Sequence, residues 1–166
     1  MTVQDHQPQN PIQDQGPDAI AFDLAGTPLL ASGRTDTLVA ASDNLVARVK
    51  VYASGGENTT HAHPEEDHLF LVLAGRAAFH LGRDGTRVTE VGPNAGVLVP
   101  AGSFYRFASI GPDNLVLLRV GRGHRGGGER IGADGAPLSG QSSENRHQPG
   151  VPIPGAVFGT GVHDPG

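Results

Sequence analysis

Between residues 35 and 121 the sequence is a succession of short apolar or alternating runs, each stopped by Gly, Asp, Asn or Pro. TLVAAS, LVARVKVYA, HLFLVLAG, RAAFHLG, TRVTEVG, GVLVPAG, YRFASIG and NLVLLRVG follow one another in this way. Turn signals recur roughly every ten residues, a spacing that suits strands of a sandwich or barrel. No stretch sustains a helical period with caps at its ends. The pattern therefore predicts an all-β fold. Arg83-Asp84-Gly85 reads as a hairpin turn, and Gly92-Pro93-Asn94 as the start of a tight loop.

The flanks have a different character. Residues 1–18 are mostly Gln, Asp, Asn and Pro, which predicts a disordered or wrapping arm. Residues 19–30 carry Ile20, Phe22, Leu24, Leu29 and Leu30, enough for an edge strand or a cover lying on the barrel. After Gly121 the chain is too rich in Gly and polar residues to build a core, until Val151, Ile153, Val157 and Phe158 bring apolar side chains back. That patch either covers an apolar groove on the barrel or a second subunit, or belongs to a flexible tail. The division expected is an arm at 1–18, a barrel at 19–121 and an extension at 122–166. Of 166 residues 25 are Gly and 13 Pro, concentrated outside the middle, so the middle can bury a normal core. Apolar segments at both ends predict a homodimer.

Charge and cysteine content narrow the function classes. The net charge of -5, without a basic stripe, argues against a nucleic-acid partner. No run of about 18 apolar residues is available to span a membrane. Cysteine is absent, which excludes disulfides, thiolate ligands and a cysteine nucleophile. That absence, with an N-terminus lacking the features of a signal peptide, fits a cytoplasmic protein.

The chemistry concentrates in one stretch, Gly56-Glu57-Asn58-Thr59-Thr60-His61-Ala62-His63-Pro64-Glu65-Glu66-Asp67-His68. His61 and His63 are two apart and share one face of a strand. His68 follows a Pro-Glu-Glu-Asp turn and opens an apolar run; a hairpin would fold it back toward the first pair. If His68 faces inward, so do Phe70 and Val72. Three neutral imidazoles can hold a divalent metal and leave positions open for other ligands. Glu65, Glu66 and Asp67 are expected in a solvated turn, with one available to orient a ligand histidine.

This stretch resembles the first motif of the cupin superfamily: a glycine, His-x-His, three or four residues, a glutamate, six residues and a further glycine. Gly75 fits the last glycine, and counting back six residues lands on His68, where the motif has glutamate. Pro100-Ala101-Gly102-Ser103-Phe104-Tyr105 resembles the second motif, with Tyr105 where a ligand histidine is usual. The resemblance covers about residues 35–121 and implies a double-stranded β-helix, or jelly-roll, barrel with extended arms. It implies one divalent metal held by His61, His63 and His68, with Fe(II) favoured and Zn(II), Cu(II), Ni(II) or Mn(II) compatible. Tyr105 then serves as a proton donor or substrate anchor, or else marks a site without metal. The activity implied is a metal-dependent enzyme acting on a small organic molecule, foremost an Fe(II) dioxygenase-like oxidoreductase. A lyase, an isomerase and a non-catalytic small-molecule-binding protein are the alternatives.

Five residues are assigned to the substrate pocket: Arg48, Tyr52, Phe70, Phe107 and Arg119. Arg48, Lys50 and Tyr52 share a strand face that is either the cavity wall, gripping an anionic substrate, or plain surface. Arg119 is a charge inside an apolar strand and requires a partner or a wet cavity. His80 reads as a surface or subunit-contact residue.

Overall fold

In a computed structural model of the chain, residues 19–53, 58–122, 129–138 and 149–159 are described. The arm expected at 1–18 lies outside them, as do Gly56 and Glu57 of the histidine stretch. The described residues contain strands and turns but no helix, and so no helix long and apolar enough to cross a membrane. In chain order the strands are β1 (Pro28–Ser32), β2 (Arg34–Ala41), β3 (Val46–Tyr52), β4 (His61–Ala62), β5 (His68–Ala74) and β6 (Ala77–Leu81). They continue as β7 (Arg87–Val91), β8 (Gly96–Val99), β9 (Tyr105–Ser109), β10 (Leu115–Gly121), β11 (Ile131–Gly132) and β12 (Val151–Val157).

Two five-stranded antiparallel sheets form the barrel, one in the order β2-β3-β10-β5-β8 and the other β11-β4-β9-β6-β7. Alternation along the strands builds the core between them. In β5, His68, Phe70 and Val72 are buried while Leu69 is exposed, as period-two packing requires. Tyr52, Phe70, Val72, Phe79, Tyr105, Phe107, Leu115 and Leu117 meet in one cluster. Its rings pack edge-on or tilted, with Tyr52 and Phe107 centroids 5.0 Å apart and Phe70 and Phe79 5.4 Å apart.

The turns follow the glycine and asparagine signals. β6 and β7 form the hairpin expected around Arg83-Asp84-Gly85, with Gly82 and Gly85 at positive φ. Gly75 closes the β5–β6 turn at a φ of 72°; a Cβ there would lie 2.4 Å from the Asn114 carbonyl oxygen, so only glycine fits.

The two flanking apolar segments meet each other. β1 pairs antiparallel with β12, Pro28 opposite Val157 and Ser32 opposite Val151. Leu30 enters a second core cluster with Val49, Val51, Ala53 and Val116, and Leu24, Leu29 and Phe158 pack against it. β1, with Leu24 and Phe158 on either side, thus covers part of the outer face of the β2-β3-β10-β5-β8 sheet. Asn114 pins this strand: Leu30 N donates to its Oδ1 at 2.6 Å and its Nδ2 donates to Leu30 O at 2.9 Å.

Removing both of those bonds strands two part-buried backbone groups. Asn114→Ala is expected to lower the unfolding free energy by about 1–3 kcal/mol, read from the urea midpoint. An unchanged midpoint would show that apolar contacts alone hold β1 in place.

Candidate metal centre

β4 and β5 do not form the hairpin expected from the sequence. They lie in different sheets, β4 beside β9 and β11 and β5 between β10 and β8. The turn from His63 to Asp67 carries the chain across the barrel, so His68 meets His61 and His63 from the opposite wall. β4 is only two residues long and has β9 and β11 on its two edges, so no edge is left for β5 to pair with. The result brings the three histidines together all the same. Ring centroids of His61 and His63 are 5.2 Å apart, and those of His63 and His68 are 4.2 Å apart.

Among the described residues, four polar or charged side chains are buried to core level: His61, His63, Glu66 and His68. All four fall within eight consecutive positions. Glu66 is the residue that sequence reasoning placed in a solvated turn. It is 8% exposed and turns its carboxylate inward. Its Oε2 lies 3.0 Å from His68 Nε2 and 3.7 Å from His63 Nδ1. The missed signal was parity, since Glu66 stands two residues before inward-facing His68 and a strand-like entry puts both on one side.

Donor atoms of His63, Glu66 and His68 all lie within 4.8 Å of one another, forming the tight group of the site. His61 stands beside it. Its Nδ1 donates to the Thr59 carbonyl at 2.7 Å, which fixes the tautomer and leaves the Nε2 lone pair available. His63 Nδ1 is buried with no hydrogen-bond partner. An orphaned buried nitrogen is costly, and a metal ion is one group that satisfies it.

Tyr105 opens β9 directly opposite His61 in the strand register. Its hydroxyl lies 3.0 Å from His68 Nδ1. Burial pushes its pKa up, so the phenol keeps its proton at neutral pH. Arg119 lies on β10 opposite Phe70 and diagonal to His68 on the same inward face. The partner it required is Glu66, whose Oε2 accepts from Nη2 at 3.2 Å; the same Nη2 also contacts His68 Nε2. Gly121 faces His68 across the strands, and a Cβ there would sit 2.7 Å from the imidazole Cδ2. The ring therefore occupies space that only a glycine leaves open.

The other pocket candidates divide. Phe70, Tyr52 and Phe107 are packed in the core beneath the histidines, with the Phe70 centroid 5.9 Å from that of His68. Arg48 and Lys50 share the inward face of β3 with Tyr52, and Arg48 is paired with Arg119 across the ladder. Asp36 joins the two cations, its Oδ1 2.5 Å from Arg48 Nε and its Oδ2 2.5 Å from Lys50 Nζ. His80 is half-buried away from the site, where Arg106 contacts its Nδ1.

Burial, above all, keeps the three imidazoles neutral. It lowers the pKa of His61 to about 4, of His68 to about 3 and of His63 to about 2; Arg119 adds to all three shifts and neighbouring imidazoles to those of His63 and His68. Neutral imidazole is the ligating form. Two imidazole nitrogens and a carboxylate, spaced about as ligands around one ion would be, fit a divalent transition metal.

Residues 48–121 match the Cupin domain family. Similar solved structures include a conserved protein with a double-stranded β-helix domain from Klebsiella pneumoniae, at TM-score 0.51 and 20% identity over 58% of this chain and 82% of that one. KdgF from Halomonas sp. gives TM-score 0.51 and 20% identity over 57% of this chain and 83% of its own. DMSP lyase DddQ from Ruegeria pomeroyi gives TM-score 0.51 and 22% identity over 62% of this chain and 53% of its own. At these identities the likeness is one of fold. No curated protein matches the sequence.

The depressed imidazole pKa values set a pH window for stability. Above about pH 6.5 neither folded nor unfolded chain binds these protons, and they contribute no slope. Below it the unfolded chain takes up protons the folded one refuses. Stability of the metal-free protein should then fall by up to about 1.4 kcal/mol per pH unit for each such histidine. The fall continues until the folded values are reached, near 4 for His61 and lower for the others. Urea midpoints between pH 7.5 and 5 read this slope, and His63→Gln should flatten it.

Proposed function

We propose that the chain is a cupin, on the strength of the family match over residues 48–121, and within that reading a mononuclear metal-dependent enzyme acting on a small organic molecule. The observation that carries the reading is the convergence of His63, Glu66 and His68 in a buried site. Two histidines and one carboxylate are the donor set of many non-haem Fe(II) oxygenases, so Fe(II) is favoured and the activity is dioxygenase-like. Zn(II) accepts the same donors; Cu(II), Ni(II) and Mn(II) are further candidates. Bound there, a divalent metal would supply Lewis acidity and open positions for a substrate and a small co-reactant.

The residues around it do the rest. His63 Nδ1, Glu66 Oε2 and His68 Nε2 would hold the ion, and His61 Nε2 offers a further nitrogen. The Tyr105 hydroxyl orients His68 through Nδ1 and carries a proton that burial prevents it from losing to water. The aromatic floor of Phe70 and Phe107 keeps water from the inner side of the site. A second reading, a metal-dependent lyase or isomerase, is favoured by that retained phenol proton, since such reactions call for a positioned acid. DMSP lyase among the structural neighbours is consistent with this second reading.

Metal content of protein purified without chelator or histidine tag tests the centre. Wild type should hold about one ion per chain. His63→Ala and Glu66→Gln should lose most of it, and His61→Ala less. Equal content in wild type and Glu66→Gln would remove Glu66 from the ligand set. Oxygen uptake by the iron-loaded protein with candidate substrates separates the oxygenase from the lyase reading. Tyr105→Phe should keep the metal and slow turnover.

The same proposal includes a homodimer. Leu69 and Leu98 face each other across β5 and β8 on the outer side of the barrel, 47% and 63% exposed. Val120 lies next to Leu69 across the ladder. A contiguous apolar strip of this kind supports association. Leu98→Lys should shift the chain to monomer in light scattering with its circular dichroism unchanged; a monomeric wild type at high micromolar concentration would remove the dimer.

A further inference from the structure

The most unusual neighbour of the candidate metal centre is another cation. Arg119 is 11% exposed at its side chain and directs one nitrogen, Nη2, at two of the three donors. That nitrogen donates to Glu66 Oε2 at 3.2 Å and contacts His68 Nε2. A guanidinium only donates, so the contact requires the lone pair of His68 to be on Nε2 and its proton on Nδ1, shared with the Tyr105 oxygen. The two hydrogens of Nη2 thus take the same lone pairs that a metal bridging Glu66 and His68 would take. Glu66 Oε2 and His68 Nε2 stand only 3.0 Å apart, so one positive group at a time can bridge them.

Arg119 has little else to hold. Across the ladder it faces Arg48, a like charge. The nearby carboxylate, Asp36, already binds both Arg48 and Lys50. Among the described residues, a guanidinium displaced from Glu66 therefore remains beside the site without a free acid to pair with. Positive charge then exceeds negative on that wall, and a carboxylate is the ligand that balances it bidentately.

We propose that Arg119 is a tethered competitor for the metal, bridging Glu66 and His68 in the metal-free chain and turning to bind the carboxylate of a small organic acid once the ion enters. The proposal rests on the metal reading of His63, Glu66 and His68. Metal and carboxylate are then coupled: each favours the state in which Arg119 has left Glu66, so each strengthens binding of the other. An acid-bearing substrate is favoured because it completes the charge balance only in the loaded state.

The test is a competition titration of Zn(II) against a chromophoric chelator, using the metal-free full chain with and without acetate. Arg119→Gln keeps hydrogen-bonding capacity but removes the charge. It should bind Zn(II) about tenfold tighter or more, the scale on which groups next to metal ligands act. Arg119→Lys keeps the charge and should stay nearer wild type. Arg119→Met, which retains the apolar stem, serves as a second neutral variant should the glutamine variant fold poorly. Acetate should strengthen Zn(II) binding by wild type and not by Arg119→Gln. Neutral variants that bind Zn(II) no tighter than wild type would overturn the competitor role while leaving the metal centre standing. Acetate acting equally on wild type and Arg119→Gln would overturn the carboxylate role. Absence of Zn(II) binding in wild type and all variants would overturn both this inference and the metal reading.

Discussion

The geometry of the site depends on a single crossing of the barrel. Between His63 and His68 the chain leaves one sheet and joins the other, and it does so with Glu66 turned inward while Glu65 and Asp67 face out. Had β4 and β5 paired as neighbours, the three histidines would lie along one wall and Glu66 would sit in an exposed turn. The crossing instead sets two walls facing each other with donors on both. Gly121 makes room for this, because the neighbouring strand of the same sheet must be bare backbone beside His68 for the imidazole to fit. The register of β10 then follows: with Gly121 opposite His68, Arg119 stands opposite Phe70 and reaches the site diagonally.

The same crossing creates an electrostatic problem. Polar groups buried in an apolar barrel must find partners within the barrel. Most do: His61 through the Thr59 carbonyl, His68 through Tyr105 and Arg119, Glu66 through Arg119. His63 Nδ1 does not. Among the described residues His63 Nδ1 is the buried side-chain atom left unsatisfied, a local defect of the kind that functional sites retain.

Much of this was legible in the sequence for identifiable reasons. Strand-length runs ending in Gly and Asn gave the β fold, because turn chemistry is local. The hairpin at Arg83-Asp84-Gly85 and the inward set His68, Phe70, Val72 followed from the same local rules. The sheet to which each strand belongs did not, since two strands adjacent in sequence are distinguished only by long-range pairing. Glu66 was hidden by that: in a hairpin its parity would carry no meaning, and charged residues after proline ordinarily face water. The polar face of β3 shows the same limit. Alternation placed Arg48, Lys50 and Tyr52 together, and only the closed barrel decides which side of the sheet is inside. Arg119, by contrast, announced itself as a charge in an apolar strand, and its partner proved to be the carboxylate that alternation alone had not singled out.

The pairing of β1 with β12 bears on how the molecule is made. The strands that come together there, with Pro28 opposite Val157, stand near opposite ends of the described chain. Contacts so distant in sequence form late, because the loop they close is long. On a ribosome the β2-β3-β10-β5-β8 sheet can assemble once β10 has emerged, but Leu30, Val49, Val51 and Val116 must wait for the C-terminal segment to bring Phe158 onto them. A nascent barrel therefore presents an apolar flank to its surroundings for the time it takes to synthesise the Gly-rich stretch after Gly121. Translation speed through that stretch, rather than the stability of the finished fold, sets how long the growing chain is open to aggregation or to a chaperone.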